Sequence, residues 1–414
     1  MKIFQQMLVA SAAIGLIAPI GAQANDINTE GMNNYSRSSK SSSKKQQFNS
    51  KTFANELAKV NDKIDGIESQ FNDFEAGGFS DTTVMNGKAI FDVGGVENSS
   101  GNLNEAIGFQ YTYQLNLNTS FTGDDDLYVR LKTGNATDVF SNKTYGTYLS
   151  SSNGNDDTIK VDKIWYSFPV GEKNTVWIGP KIENYYMHGA TPSIYKPITK
   201  HFKLGGNGAA YGASTDTGVG WAYNADNGFS LSSNVVSKGG SKGFLTDEAK
   251  TNWSTQVGYT TDQYHVSLIT ALKYNGWTDS YYTTSLGKAR PDGNSTNYGL
   301  RAYWRPDTES QVVPEISGGY DTSTVEGQDA DTDAFFVGLT WKDTFQVDDK
   351  IGLALGQPQT ADTDTVEPFT WEAYYSFKLN DSVTMTPAIF GASDRTGTAG
   401  VDLTGAVLQT TFKF

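Results

Sequence analysis

The sequence predicts an all-β fold, a transmembrane antiparallel β-barrel of about sixteen strands preceded by a short N-terminal coiled-coil helix. Three observations carry that reading. Hydrophobic periodicity is two, not 3.6, throughout residues 79–414. Beyond the first two dozen residues, no stretch reaches the roughly 18–20 consecutive apolar residues that a spanning helix needs. The chain also ends on an alternating strand, VLQTTFKF (407–414), with a terminal Phe, as a strand that closes an outer-membrane barrel would.

Residues 1–24, MKIFQQMLVASAAIGLIAPIGAQA, read as a cleaved export signal. Lys2 supplies the positive start, residues 7–20 the apolar stretch, and Ala22-Gln23-Ala24 the small-residue cleavage motif. Residues 25–52 are Ser- and Lys-rich, with SRSSKSSSKKQQ at the centre. Such a segment buries too little apolar surface to fold alone and reads as a flexible tether. Its cations allow a weak contact with anionic cell-wall polymer.

Residues 53–76 change pattern abruptly. Phe53, Leu57, Val60, Ile64, Ile67, Phe71 and Phe74 recur at alternating spacings of four and three, a narrow heptad seam. Gly77-Gly78 follows, as expected just past a helix end. So thin a stripe is marginal in a lone helix, so the seam predicts association with copies of itself. Large apolar residues at both seam positions favour three strands. The expected product is a homotrimer with its helix in the periplasm.

The remainder, 79–414, alternates. Phe109, Tyr111, Tyr113, Leu115 and Leu117 interleave with polar neighbours, and Leu127, Val129 and Leu131 interleave with Tyr128, Arg130 and Lys132. Leu300, Ala302 and Trp304 interleave with Arg301, Tyr303 and Arg305. Further alternating runs appear at 158–170, 175–182, 229–236, 253–260, 264–274, 335–341, 371–379, 383–392 and 403–414, separated by Gly/Asn/Asp-rich turns. A soluble sandwich is the competing architecture. Charged residues on the polar face, among them Arg130, Lys132, Arg301, Arg305, Glu315 and Glu372, fit a wet lumen better. Paired aromatics at Trp165-Tyr166, Tyr185-Tyr186, Tyr281-Tyr282 and Tyr374-Tyr375 suggest an interfacial girdle. A barrel of about sixteen strands is too wide for side chains to fill, so it encloses an aqueous channel.

Composition narrows the function. The 414 residues contain no Cys, which removes thiolate metal sites and Cys nucleophiles, and only three His. A net charge of −14 argues against nucleic acid as a partner. No cofactor is implied. Asp329, Asp331 and Asp333 have D-x-D-x-D spacing but lack the Gly and Glu of a calcium loop, and solvated loops explain them. His265 with Ser267 could start a hydrolytic constellation, but no third group presents itself, and an enzyme is not expected.

Residues 183–206, ENYYMHGATPSIYKPITKHFKLGG, interrupt the alternation. If this loop folds inward, Lys196, Lys200, His201 and Lys203 reach the narrowest part of the pore, opposite an acidic wall. Arg130, Arg301 and Arg305, facing the lumen by register, would join the same constriction and favour small anions.

Three segments resemble a known family. FSDTTVMNGKAIF (79–91), LNLNTSFTGDDDLYVRLKTGN (115–135) and VDKIWYSFPVGEKNTVWIGP (161–180) are similar to the early strands of cyanobacterial outer-membrane porins of the carbohydrate-selective porin family. The resemblance extends over about residues 53–414 and is most specific in the first third of the barrel. It implies an outer-membrane porin embedded in lipid, trimeric, passing small solutes and inorganic ions without an assumed preference for carbohydrate transport. Many members carry a surface-layer-homology domain before the coiled coil, and residues 25–52 stand in its place here. A substrate-specific receptor or adhesin barrel, or a secreted polysaccharide-binding β-protein, are the alternatives.

Overall fold

The structure, a computed structural model, describes residues 82–99, 105–205, 208–212, 215–239, 242–277, 293–307, 312–326, 331–362 and 364–414. The expected signal, tether and seam helix lie outside these residues, as does Tyr281-Tyr282. Sixteen strands among the described residues form one closed antiparallel barrel in which each strand pairs with its sequence neighbours and β1 pairs with β16. In order they are β1 (Thr83–Asn98), β2 (Gly108–Thr119), β3 (Asp126–Gly134), β4 (Lys160–Val170), β5 (Asn174–Glu183), β6 (Thr215–Asn224), β7 (Phe229–Lys238) and β8 (Lys250–Thr260). There follow β9 (Tyr264–Tyr274), β10 (Ser295–Trp304), β11 (Glu315–Val325), β12 (Thr332–Lys342), β13 (Lys350–Ala361), β14 (Phe369–Asn380), β15 (Val383–Ser393) and β16 (Leu403–Lys413).

Closure leaves no unpaired sheet edge, which is what a sheet in hydrocarbon requires. The last strand makes the closure, running in register from Lys88↔Lys413 to Asn98↔Leu403. Phe414 fastens it: its carbonyl accepts from the Gly87 N–H at 2.7 Å, and its ring stacks on Tyr113 at 5.8 Å. The alternation sorts side chains as expected. Tyr298, Leu300 and Trp304 of β10 point outward and Asn297, Arg301 and Tyr303 inward, while Val266 and Leu268 of β9 point outward between buried His265, Ser267 and Ile269. The outward apolar side chains are the lipid-facing surface.

Strands β6, β11 and β13 are not among the alternating runs read from sequence. Five of their glycines, at 218, 220, 319, 352 and 356, take inward positions where a polar side chain would have marked the alternation, and the sheet supplies through pairing what local pattern lacks. The girdle also differs from expectation. Adjacent residues on a strand face opposite ways, so only one of each pair can meet lipid. Trp165 and Tyr374 turn inward and are buried, and Tyr185-Tyr186 belong to a lumen loop.

The barrel has a short-turn end, which holds the start of β1 and the end of β16, and a long-loop end. Two short turns are built alike. In SFTGDD (120–125) one oxygen of Asp125 accepts from the Phe121 and Thr122 N–H groups, and the other from the Tyr166 hydroxyl. In TFQVDD (344–349) Asp349 accepts from the Thr344, Phe345 and Gln346 N–H groups and from the Tyr375 hydroxyl. Each tyrosine begins a Tyr-Ser-Phe triplet on the second strand along, so the segment 115–135 that carries the family resemblance contains a turn the chain uses twice.

Candidate channel constriction

The long connection between β5 and β6 does not stay outside the barrel. It opens with a tight turn at Asn184–Met187 and then crosses the lumen, binding the inner wall strand by strand. Gln256 of β8 brackets Ala190, accepting from its N–H and donating to its carbonyl, both at 3.1 Å. The Ile194 N–H donates to Ser317 of β11 at 3.3 Å. On the far side Glu372 of β14, fully buried, receives the Tyr195 hydroxyl (3.0 Å), the Ile198 and Thr199 N–H groups (3.0 and 2.8 Å) and the Thr199 hydroxyl (2.6 Å). Four donors on one carboxylate satisfy a charge that would be costly to bury alone.

The loop then turns back. Arg301 of β10 donates through Nε to the Leu204 carbonyl at 2.9 Å and through Nη2 to Asp321 of β11 at 2.7 Å. At this point the loop backbone lies against the wall: a Cβ on Gly319 would stand 2.0 Å from the Gly205 carbonyl oxygen. Only glycine permits that approach.

A second inward loop, between β3 and β4, supports the first. Leu149 and Thr199 form an isolated antiparallel bridge, with the Ser150 N–H donating to Ile198 and the Lys200 N–H to Tyr148, each at 2.7 Å. Asp92 of β1 holds this second loop by accepting from Ser151, and is itself braced by Gln110 and Gln409. Neither Glu372 nor Asp92 stands out in the sequence as an anchor. An inward carboxylate on a strand reads the same whether it faces water or the hydrogen-bond donors of a loop.

The expected constriction residues separate into three groups. Lys200 and Lys203 join Arg130 around a cavity of about 430 Å³ against β1–β5, together with Lys88 and Lys132. The acids there are Asp162, paired with Arg130, and Glu183, paired with buried Lys163 and accepting from Tyr185. Lys196 and Arg305 line a separate cavity of about 310 Å³ against β10–β14, with Lys342, Lys350 and Glu315. By formal charge each cavity therefore has three more basic than acidic groups, five against two and four against one.

Arg301 and His201 form the third group, and here the structure departs from expectation. Arg301 faces inward as its register requires, but it is 0% exposed because the loop it clamps covers it. His201 is 4% exposed, its ring edge-on to Phe202. Burial, with the Arg395 charge behind it, holds the His201 imidazole neutral, far below its ordinary range. The wall opposite Lys200 and Lys203 also differs from expectation, since Lys88, Arg130 and Lys132 make it basic.

The first cavity has an aromatic flank. Tyr128, Trp165, Tyr186 and Tyr185 follow one another at ring separations of 4.3, 4.8 and 4.6 Å. His265 does hydrogen bond to Ser267, at 2.9 Å, but its other ring nitrogen is taken by Thr260 and its face by Tyr303, so it forms part of the wall. Among the described residues, no group of three or more His, Asp or Glu is placed to hold a metal.

The sequence profile of the carbohydrate-selective porin (OprB) family matches residues 39–390. An uncharacterized protein of Nostoc sp. is 26% identical over 420 residues, covering 87% of this chain and 70% of that protein. One of Synechocystis sp. is 23% identical over 397 residues, with 82% and 70% covered. Among solved structures, OprB of Pseudomonas putida superposes with a TM-score of 0.56 at 12% identity, covering 82% of this chain and 97% of that one. An anion-selective porin from Comamonas acidovorans gives 0.56 at 13%, covering 80% and 99%. OmpT of Vibrio cholerae, in its trimer form, gives 0.51 at 14%, covering 80% and 99%. A closed sixteen-stranded barrel, an inward loop leaving charged cavities, and a family match over most of the sequence converge: the chain belongs to the OprB family of carbohydrate-selective porins, non-enzymatic outer-membrane channels for passive diffusion of solutes.

Proposed function

We propose that the channel passes small hydrophilic solutes and inorganic ions with a preference for small anions. One observation carries this reading: by formal charge both lumen cavities have three more basic than acidic groups although the whole chain carries −14. Charge lining a narrow, low-dielectric-walled passage governs which ions enter it, while distant surface charge is screened over about 10 Å. The Comamonas porin, a barrel of the same fold, is anion-selective, which is consistent with it.

Reversal potential in a planar bilayer under a potassium chloride gradient tests the proposal. The wild-type potential should have the sign of chloride permeation. Replacing Lys196, Lys200 and Lys203 with Glu should shift it toward potassium, and an unmoved potential would take the loop cations out of the ion path.

A second reading, sugar passage, draws on the aromatic file from Tyr128 to Tyr185 and on the family's description. A file of aromatic rings beside a polar cavity suits a pyranose face. Added glucose or maltose should then reduce single-channel current, and Tyr186→Ala should weaken that block.

For assembly, residues 53–76 would bring three copies together through the Phe53–Phe74 seam on the periplasmic side, and residues 25–52 would touch the cell wall weakly through their cations. Deleting 53–76 should lower the temperature at which trimers dissociate on a gel; unchanged trimers would assign cohesion to the barrel walls.

A further inference from the structure

The larger cavity crowds together like charges that its own acids do not relieve. Lys88 reaches it from β1, Arg130 and Lys132 from β3, and Lys200 and Lys203 from the constriction loop. Both acids in the lining are already engaged, Asp162 by Arg130, and Glu183 by Lys163 and the Tyr185 hydroxyl. Among the described residues, the ammonium groups of Lys88, Lys132 and Lys203 make no ion pair and no hydrogen bond.

These charges also act on one another. Arg130 is an electrostatic neighbour of both Lys88 and Lys132. At Lys203, on the loop, burial and the charges of Lys200, Lys132 and Lys163 outweigh the pull of Glu183. Together they bring its ammonium down to about 7. An amine held so low gives up its proton near neutral pH unless negative charge arrives beside it.

The space indicates what kind of negative charge fits. The cavity is about 430 Å³, within the range of roughly 300–1,000 Å³ typical of small-molecule sites. That is far wider than a bare halide, which could touch few groups in a lining built from two strands and a loop. A tetrahedral oxyanion presents several oxygens at once, and lysine ammonium groups bind such oxygens as point charges.

We propose that Lys88, Lys132 and Lys203, together with Arg130, form a binding site for a doubly charged tetrahedral oxyanion, free or as the phosphate end of a small ester. It rests on the anion-preferring reading, from whose basic lining it starts, and adds to it a saturable site in one cavity.

Isothermal titration calorimetry of the full chain in detergent at low ionic strength tests the site, with sodium sulfate as a probe whose own charge does not titrate near pH 7. Saturable binding is expected, with uptake of protons by Lys203 and an affinity that falls as the pH rises from 7 to 9. Lys132→Met and Lys203→Met should each weaken sulfate binding roughly tenfold, the factor that one charge-assisted hydrogen bond supplies. Each removes one of several crowded cations, so the barrel should stay folded, as heat-modifiable migration checks. Glucose 6-phosphate should compete with sulfate; tighter binding than sulfate identifies the ester as the held form, and equal or weaker binding the free oxyanion. No saturable binding to the folded wild type, or binding that both variants leave unchanged, would overturn the proposal. So would an equal loss on Lys350→Met in the other cavity, which would assign the affinity to the general charge of the lumen. The reversal potential separates the two readings. A chloride-selective channel that binds no sulfate loses the site alone, and a potassium-selective channel that binds sulfate keeps the site and loses the wider preference.

Discussion

Arg130 and Arg301 occupy the same kind of position and have opposite roles. Both lie mid-strand, face inward by the two-residue alternation, and pair with an aspartate on a neighbouring strand. Arg130 borders a water-accessible cavity and belongs to a field of five cations. Arg301 is sealed beneath the constriction loop and grips its backbone at Leu204. Facing the lumen is thus not the same as lining the pore. At Arg130 the wall is left open by the loop, whereas at Arg301 the wall is covered by the loop and anchors it.

The largest effect that would sharpen this contrast comes from removing each arginine. Arg301→Met strands Asp321 in a buried position and releases Leu204, and should cost about 3–5 kcal/mol, the usual penalty for breaking a buried pair from one side. It should read out as a much lower temperature of heat-modified migration and as noisy conductance. Arg130→Met should leave that temperature nearly unchanged and move only the reversal potential. The reverse pattern would break the comparison.

Glu372→Gln should come next. Gln keeps one acceptor oxygen but replaces the other with a donor facing Thr199, so roughly 2–3 kcal/mol of loop anchoring is lost, as for hydrogen bonds to a charged group. Single-channel conductance should rise as the loop loosens, with the barrel still folded; an unaltered conductance would mean that the loop stays docked without Glu372.

The smallest effect concerns acid. His201 is neutral in the docked loop, with its folded pKa depressed by burial and by Arg395. A released loop would take up the proton near its ordinary value of about 6.5. The undocked state therefore binds more protons below that pH, so docking is fully stable above about 6.5 and weakens steadily as the pH falls below it. Conductance noise should increase between pH 7 and pH 4.5, and His201→Phe should flatten that dependence. Noise independent of pH in the wild type would remove His201 from the anchor.

The barrel was largely legible before any coordinates. Strand β9 at Tyr264–Tyr274, the closing strand at the C-terminus and the inward set of Arg130, Lys132, Arg301 and Glu372 all follow from a period of two. The weak points were strands β6, β11 and β13, whose glycines blur the pattern. Within 183–206, prolines and the lost alternation marked the loop, and its lysines marked its charge. Its path was not legible, because nothing local tells Glu372 that backbone N–H groups, or Asp92 that a serine hydroxyl, will arrive from residues about 175 and 60 positions away.

By itself, then, the order of residues determined most of the strands and which of their side chains look inward, because a pleated strand turns successive side chains to opposite faces. Tertiary structure alone decided which inward side chains meet water and which meet the loop. That choice depends on hydrogen bonds between segments far apart in sequence, so Lys200 and Lys203 became cavity lining while His201 between them became core.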